Sequence, residues 1–350
     1  MTSRNSITRV LVIQRNSLSD ENLLSRSIGA RFTPLLNYMS GRKLISFCEI
    51  LEDNITLMDL KSCDVVLFNK HSSRQAINIM KMSHDIGLKT IYDLDDWILD
   101  LPEYSVTDLL EDQLGNIIWM IRNATFVTVS CNALMDKVAL LRNPIFLLKN
   151  GIDPSAFGFG DGGWSESKKP KILFSNTDGI KLIKFKEKFF ELIINFLNDN
   201  PEISIDYWGD IFPEIYQIPR IRIRGFLHNE AYKRAILSEG YWFSIVPLGG
   251  PEDADSLFFN SCKSCIKYID YGALGIPGIY SNTPVYTEVV KHQVNGILVD
   301  NDSLSWEKAM NSLLQNSLLR REIRESAYVD VVKNHGLKEP AKIFLNLLRL

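Results

Sequence analysis

Short apolar runs alternate with stretches of helical spacing along the first half of the chain. Arg9–Ile13 (RVLVI), Cys63–Asn69 (CDVVLFN), Lys89–Asp93 (KTIYD) and Thr125–Ser130 (TFVTVS) read as buried strands, with Pro144–Leu148 as a fifth. Between them, Ser72–Ile86 and Asp108–Arg122 repeat apolar residues at helical intervals. Buried strands separated by helices predict a parallel sheet covered on both faces.

The alternation is then interrupted. Asn150-Gly151-Ile152-Asp153-Pro154 is turn chemistry, and Phe157–Lys169 (FGFGDGGWSESKK) is rich in Gly, Ser and charge. Beyond it the pattern restarts. Lys171–Ser175, Ser204–Trp208, Ile221–Arg224, Tyr241–Val246, Gly278–Ser281 and Gly296–Val299 read as strands. Lys181–Asn198 reads as a helix with Leu182, Phe185, Phe189, Leu192, Ile193 and Phe196 on one side, and Lys263–Leu274 as a helix stopped by Gly275 and Pro277. Ser303–Gln315, Ser317–Asn334 and Glu339–Leu350 complete the helices. The expected organisation is α/β: a Rossmann-like domain over 1–155, a linker over 156–170, a second Rossmann-like domain over 171–336, and a terminal helix over 337–350.

Composition narrows the function. At 350 residues, two domains are the default, and such a chain buries an ample core without disulfides. A net charge of −3 argues against a protein built mainly to bind nucleic acid. No apolar stretch approaches the roughly 20 residues needed to cross a bilayer, and the block Val10–Ile13 is too short for a signal-peptide core. A cytoplasmic protein is expected. Five scattered cysteines argue against a disulfide scaffold. Cys262 and Cys265 form a C-x-x-C, but no second ligand pair accompanies it, so they read as two thiols near a helix start. No G-x-G-x-x-G follows the first strand and no P-loop occurs, which excludes a nicotinamide or flavin Rossmann enzyme and a P-loop NTPase.

Ligands in open α/β sheets sit beyond the carboxyl ends of the strands, so two such domains place the expected site in the cleft between them. Phe259–Ser281 (FNSCKSCIKYIDYGALGIPGIYS) is the densest candidate. Lys263, Ser264 and Lys267 at a helix start make a phosphate site from free N–H groups, a hydroxyl and two ammoniums. Asp270 lies on the face of Lys267 and could accept from ribose hydroxyls; the bland alternative is a solvated Lys–Asp pair. In the first domain an acidic run, Asp93, Asp95 and Asp96, follows a strand directly, with Asp100, Glu103, Asp108, Glu111 and Asp112 soon after. These carboxylates could hold acceptor hydroxyls, steady a positive sugar, hold a divalent ion, or simply cap helices. His71 ends the preceding strand, and Trp97 is the tryptophan best placed to line an acceptor site. Lys181 lies near a helix start, and Arg224 abuts Gly225 at a strand end, which makes it a candidate for base or phosphate.

These segments resemble the donor-binding region of GT-B glycosyltransferases, specifically the retaining enzymes of glycosyltransferase family 4 (group 1). The resemblance rests on Lys267-Tyr268-Ile269-Asp270-Tyr271-Gly272-Ala273-Leu274-Gly275-Ile276-Pro277, on Glu288-Val289-Val290, and on Asn295-Gly296-Ile297-Leu298-Val299. Asn150-Gly151-Ile152-Asp153 at the domain junction, Ser204–Gly209, Arg224-Gly225-Phe226 and Ile245-Val246-Pro247 follow the same order. The resemblance implies a nucleotide-sugar donor on the second domain, held by Lys181, Arg224, Gly225, Phe226, Lys263, Ser264, Lys267 and Asp270. It implies a saccharide or glycolipid acceptor on the first, met by His71, Asp93 and Trp97, with Asp95, Asp96 and Lys267 catalytic. It further implies transfer with retention and without a metal or other cofactor, in bacterial polysaccharide or lipopolysaccharide assembly, with room for peripheral association at the cytoplasmic face of the inner membrane. The terminal helix, apolar at Ile343, Phe344, Leu347, Leu348 and Leu350, would cross back to the first domain. Two departures stand out: Lys263 replaces the family's usual Glu, and Asp270 its second Glu. They support one alternative reading, a catalytically silent subunit that binds a partner enzyme; a second, a nucleotide-sugar epimerase, stays open although the Asn150–Asp153 junction and the Lys267–Tyr271 helix argue against it.

Overall fold

The computed structural model describes residues 7–16, 24–105, 109–157, 166–177 and 179–350. Asp108, Asp178, Trp164 and most of the Gly-rich linker lie outside the described residues. The first sheet comprises β1 (Thr8–Gln14), β2 (Ile45–Leu51), β3 (Val65–Asn69), β4 (Lys89–Leu94), β5 (Phe126–Val129) and β6 (Ile145–Leu147), in the order β2-β1-β3-β4-β5-β6. The second comprises β7 (Lys171–Asn176), β8 (Ser204–Gly209), β9 (Ile221–Gly225), β10 (Phe243–Val246), β11 (Gly278–Ser281) and β12 (Ile297–Val299), in the order β12-β11-β10-β7-β8-β9. Every pairing in both sheets is parallel. The fold is GT-B: two doubly wound domains facing one cleft.

The central strands are buried on both faces, as their unbroken apolar runs require; all five residues of β3 are buried. β2 is an exception that the sequence pattern hides. It is an edge strand, ISFCEIL, with only Ile45 fully buried, so its composition carries little strand signal. Its register against β1 is continuous from Thr8–Ile45 to Gln14–Leu51.

The helix expected over Lys263–Leu274 begins later, at Ile266, and a separate helix precedes it. One helix spans Ala254–Ser261 and the next Ile266–Ala273. Lys263 and Ser264 therefore lie in the break, ahead of the second helix, while Lys267 sits in its first turn. Phe259 and Cys262, beside that break, pack into the apolar core of the first domain. The chain crosses between domains a second time near its end. Ile152 N–H donates to the His335 carbonyl at 3.0 Å, and a Cβ on Gly151 would lie 3.0 Å from the same oxygen, so glycine permits the approach. The terminal helix Lys338–Arg349 then packs on the first domain: Ala341, Phe344 and Leu348 join Phe32, Leu35 and Leu36, and the Phe32 and Phe344 rings lie 6.4 Å apart. Among the described residues, no helix is long and apolar enough to cross a membrane.

Candidate active site

A cavity of about 590 Å³ opens between the carboxyl ends of the two sheets. Its first-domain wall is built from the last residue of β1 and the residues that follow β1, β3 and β4: Gln14 and Arg15, Lys70, then Asp95 and Asp96. Its second-domain wall takes Asn176 from β7, Gly209 from β8, Gly225 and Phe226 from β9, Leu248 beyond β10, and Lys181, Lys263, Ser264, Lys267 and Asp270. This is where parallel sheets expose backbone ends and side chains to a ligand. Gly209 takes φ +134°, and a Cβ there would fall well inside the van der Waals distance of the Asn176 carbonyl oxygen. Glycine is what lets β7 and β8 end side by side under the cleft.

The acidic run divides by role. Asp93 is fully buried and turned away from the cleft. Its carboxylate accepts a bidentate fork from Arg31 (2.6 Å to each oxygen), the Thr128 hydroxyl at 2.5 Å and the Asn69 amide at 2.9 Å. Four donors fill the acceptor capacity of a carboxylate, so Asp93 has nothing left for an acceptor sugar. Arg31 continues outward, donating to Asn150 Oδ1 at 2.9 Å, and Asn150 Nδ2 donates to Ser264 Oγ at 2.8 Å. A hydrogen-bonded chain thus runs from the first-domain interior to the helix break of the second.

Asp95 and Asp96 do face the cavity. Lys70 Nζ bridges them at 2.9 and 3.0 Å, and Lys263 reaches across the cleft to Asp96 at 2.9 Å. Lys70 holds a left-handed backbone (φ 51°), a conformation that costs of order 1–3 kcal/mol and persists where surrounding contacts over-determine it. Burial is the largest influence on the Lys70 ammonium and pulls its pKa down, but Asp95 and Asp96 together outweigh it and the pKa ends raised. Burial likewise pushes the Asp96 carboxyl up, and Lys263 with Lys70 more than reverses this, holding it well below the usual carboxylate range. Asp96 is thus a fixed negative charge at neutral pH, suited to stabilising positive charge and unsuited to delivering a proton.

On the facing wall, Lys267 donates to the Ser175 carbonyl and lies 3.4 Å from Asn176 Oδ1, with no carboxylate partner among the described residues. Burial, and then the neighbouring Lys181, lower its pKa to about 7. Lys181 donates to the Thr177 carbonyl. Asp270 lines the cavity but is already engaged, by Lys233 at 2.8 Å, and burial raises its pKa despite that partner. Its carboxylate keeps one oxygen for a further donor. Phe226 lies beneath the Arg26 guanidinium (4.0 Å), and Arg26 also pairs with Asp210 through two contacts of 2.8 and 2.7 Å, closing one end of the cleft across the domains.

Three further expected site residues do not reach the cavity. Arg224 turns to the other side of its strand, where it pairs with the half-buried Glu239 and the buried Asp206 and stacks on Trp208 at 5.3 Å; these two carboxylates draw it away from any base or phosphate. His71 is fully buried. Its Nδ1 accepts from the Asn69 N–H at 3.2 Å, and burial followed by Arg15 pushes its pKa well below the ordinary value, so it is a neutral strand-end anchor. Trp97 packs edge-on against Phe258 at 5.8 Å, under Lys137, as part of the interdomain core. Sequence reasoning also missed Arg15, Arg31 and Asn176, and passed over Lys70. Arg15, Lys70 and Asn176 were readable from position alone, each at the carboxyl end of a strand. Arg31 was not, since its partner Asp93 lies 62 residues away. Among the described residues, no group of three His, Cys, Asp or Glu side chains is gathered to hold a metal ion.

Comparison with known proteins addresses the same segment. Residues 264–330 match the family model described as glycosyl transferases group 1. No curated protein matches the chain. Among solved structures, the chain is similar to the Anabaena protein Alr3699/HepE in complex with UDP and glucose, with a TM-score of 0.66 at 11% identity, covering 98% of this chain and 99% of that one. It is similar to the sucrose-phosphate synthase of Thermosynechococcus elongatus, with a TM-score of 0.64 at 11% identity over 98% of each chain. It is also similar to a putative UDP-N-acetylglucosamine 2-epimerase from Listeria monocytogenes, with a TM-score of 0.58 at 10% identity over 98% of this chain and 96% of that one. At these identities the likenesses show a shared GT-B fold.

Proposed function

We propose that the chain, which has the GT-B fold and carries a glycosyl transferases group 1 segment over residues 264–330, is a glycosyltransferase that moves a sugar, with retention, from a nucleotide-sugar to a carbohydrate or glycolipid acceptor. The observation that carries the donor half is Lys267: a buried ammonium at a strand-end cleft, with its pKa lowered to about 7 and no carboxylate paired with it among the described residues. Such a cation is stabilised by an incoming anion, and the leaving diphosphate supplies one.

In this reading Lys267 and Lys181 meet the diphosphate, together with the N–H groups at the start of the Ile266–Ala273 helix. Charge builds on the leaving phosphate oxygen as the glycosidic bond breaks, and donors already in place there lower the barrier. Gly225 and Phe226 line the wall for the base, and Asp270 offers its remaining oxygen to ribose. Asp95 and Asp96, bridged by Lys70, face the sugar from the first domain and stabilise its positive character, Asp96 being held ionised by Lys263 and Lys70. The reaction uses these groups in place of a metal. The wider setting, bacterial surface polysaccharide or lipopolysaccharide assembly at the cytoplasmic face of a membrane, rests on the family resemblance. The Anabaena neighbour's complex with UDP and glucose favours a nucleotide-sugar donor here too. Calorimetry with UDP, GDP, CMP and dTDP, followed by turnover of the matching nucleotide-sugars, tests the proposal. Tight binding of one nucleotide with transfer or slow hydrolysis is expected. No affinity for any of them and no turnover would overturn it in favour of a silent subunit.

A further inference from the structure

The cations that line the cleft are mostly matched to acids. Arg26 is paired with Asp210, Lys70 with Asp95 and Asp96, Lys263 with Asp96, and Arg31 with Asp93. Arg15 is different. It lines the cavity from the first-domain wall and is only 7% exposed. Its Nε donates to the Asn69 carbonyl at 2.9 Å and its Nη1 to the Asn16 carbonyl at 2.8 Å. Among the described residues it has no carboxylate within ion-pair distance, and its Nη2 makes no hydrogen bond. A buried guanidinium with no hydrogen-bonded counter-ion is costly, and burial lowers the Arg15 pKa although Asp95, Tyr92 and Glu52 oppose it from longer range. Beside it, Gln14 donates to Glu49 at 2.6 Å while its Oε1 is buried with no partner. One strand end thus presents an unmatched cation and an unfilled acceptor atom together.

We propose that Arg15 and Gln14 form an anion-plus-hydroxyl subsite on the acceptor side, so that the acceptor sugar carries a phosphate or carboxylate group. The Arg15 Nη2 meets the anion, and Gln14 Oε1 takes a neighbouring hydroxyl. This deepens the acceptor half of the reading above and rests on it. The subsite is separate from the donor's diphosphate position. Arg15 stands on the first-domain wall just after β1, whereas Lys267 stands on the second-domain wall in the first turn of the Ile266–Ala273 helix. The two unmatched cations therefore serve two anions.

The test is calorimetric titration of the full chain with glucose 6-phosphate, glucuronate and glucose as probes. Wild type should bind one of the two anionic sugars at least roughly tenfold tighter than glucose, as a charge-assisted bond would give. Which one it prefers separates phosphate from carboxylate. Arg15→Gln should erase the preference, Arg15→Lys should keep part of it, and Lys267→Gln should leave it intact. Equal affinity for all three probes overturns the proposal. So does a preference lost in Lys267→Gln and kept in Arg15→Gln, which would put the anion on the diphosphate site. If Arg15→Gln does not fold, phenylglyoxal modification of wild-type Arg15, read by mass spectrometry, replaces it: protection by the anionic sugar and not by glucose is expected, and equal reactivity refutes the subsite. A retained anionic preference in a chain that binds no nucleotide would sink the donor reading alone, and nucleotide binding without the preference would sink this inference alone.

Discussion

Lys267 makes the donor site sensitive to pH in a predictable direction. Its pKa in the free protein is lowered to about 7, so it is roughly 90% charged at pH 6 and roughly 10% charged at pH 8. A bound diphosphate favours the ammonium and raises that pKa. Binding at pH 8 must therefore include proton uptake, and affinity should fall about tenfold between pH 6 and pH 8, or about 1.4 kcal/mol. The assay is calorimetry with the intact nucleotide-sugar. In that ligand the terminal phosphate is esterified, so the ionisation near pH 6 that complicates a free phosphate is absent. Titration in two buffers of different ionisation heat should show uptake of close to one proton at pH 8 and little at pH 6. Lys267→Met should bind more weakly at pH 6 and lose the pH dependence. The nucleoside, lacking phosphate, should show no slope with either protein. A flat wild-type profile, or a slope that survives in Lys267→Met, refutes a phosphate-facing Lys267.

The same group affects stability without ligand. Its folded pKa of about 7 lies below the unfolded value, so the unfolded chain binds more protons in between, and the apoprotein should gain stability from pH 7 to 9 by a margin that Lys267→Met removes in denaturant titrations. Arg31→Met leaves the fully buried Asp93 carboxylate without its fork and should cost about 3–5 kcal/mol of unfolding free energy, where an acceptor-binding role alone would leave the melt unchanged. Asp270→Asn strands the buried Lys233 ammonium, so the melting temperature should fall together with donor affinity. Asp96→Asn should lower turnover while sparing nucleotide affinity, and a large loss of nucleotide affinity in a folded protein would place it on the donor side instead. Turnover should survive EDTA, and full loss restored by magnesium would reassign Asp95 and Asp96 to a metal.

The architecture was legible because local pattern and burial agree. Val65–Phe68 and Ile172–Phe174 are unbroken apolar runs since both faces are covered, and Gly151 of the 150–153 junction follows from a close backbone approach to His335. The motif helix from Lys267 to Gly275 pointed to one wall of the cleft, because a helix start and its lysines are close in sequence. Sequence could not decide which charged residues are free. Asp93, Asp95 and Asp96 look equivalent as neighbours in a chain, yet strand alternation turns Asp93 into the core, where Arg31 and Thr128 claim it from 62 and 35 residues away. Arg224 sits beside Gly225 in sequence but faces Asp206 and Glu239 on the far side of β9. A cation's role depends on whether an acid lies within about 4 Å of it, and chain folding alone sets that distance. That is why the sequence determined two parallel domains and the group 1 segment, while only the tertiary structure revealed Lys267 and Arg15 as cleft cations with no acid in ion-pair distance among the described residues.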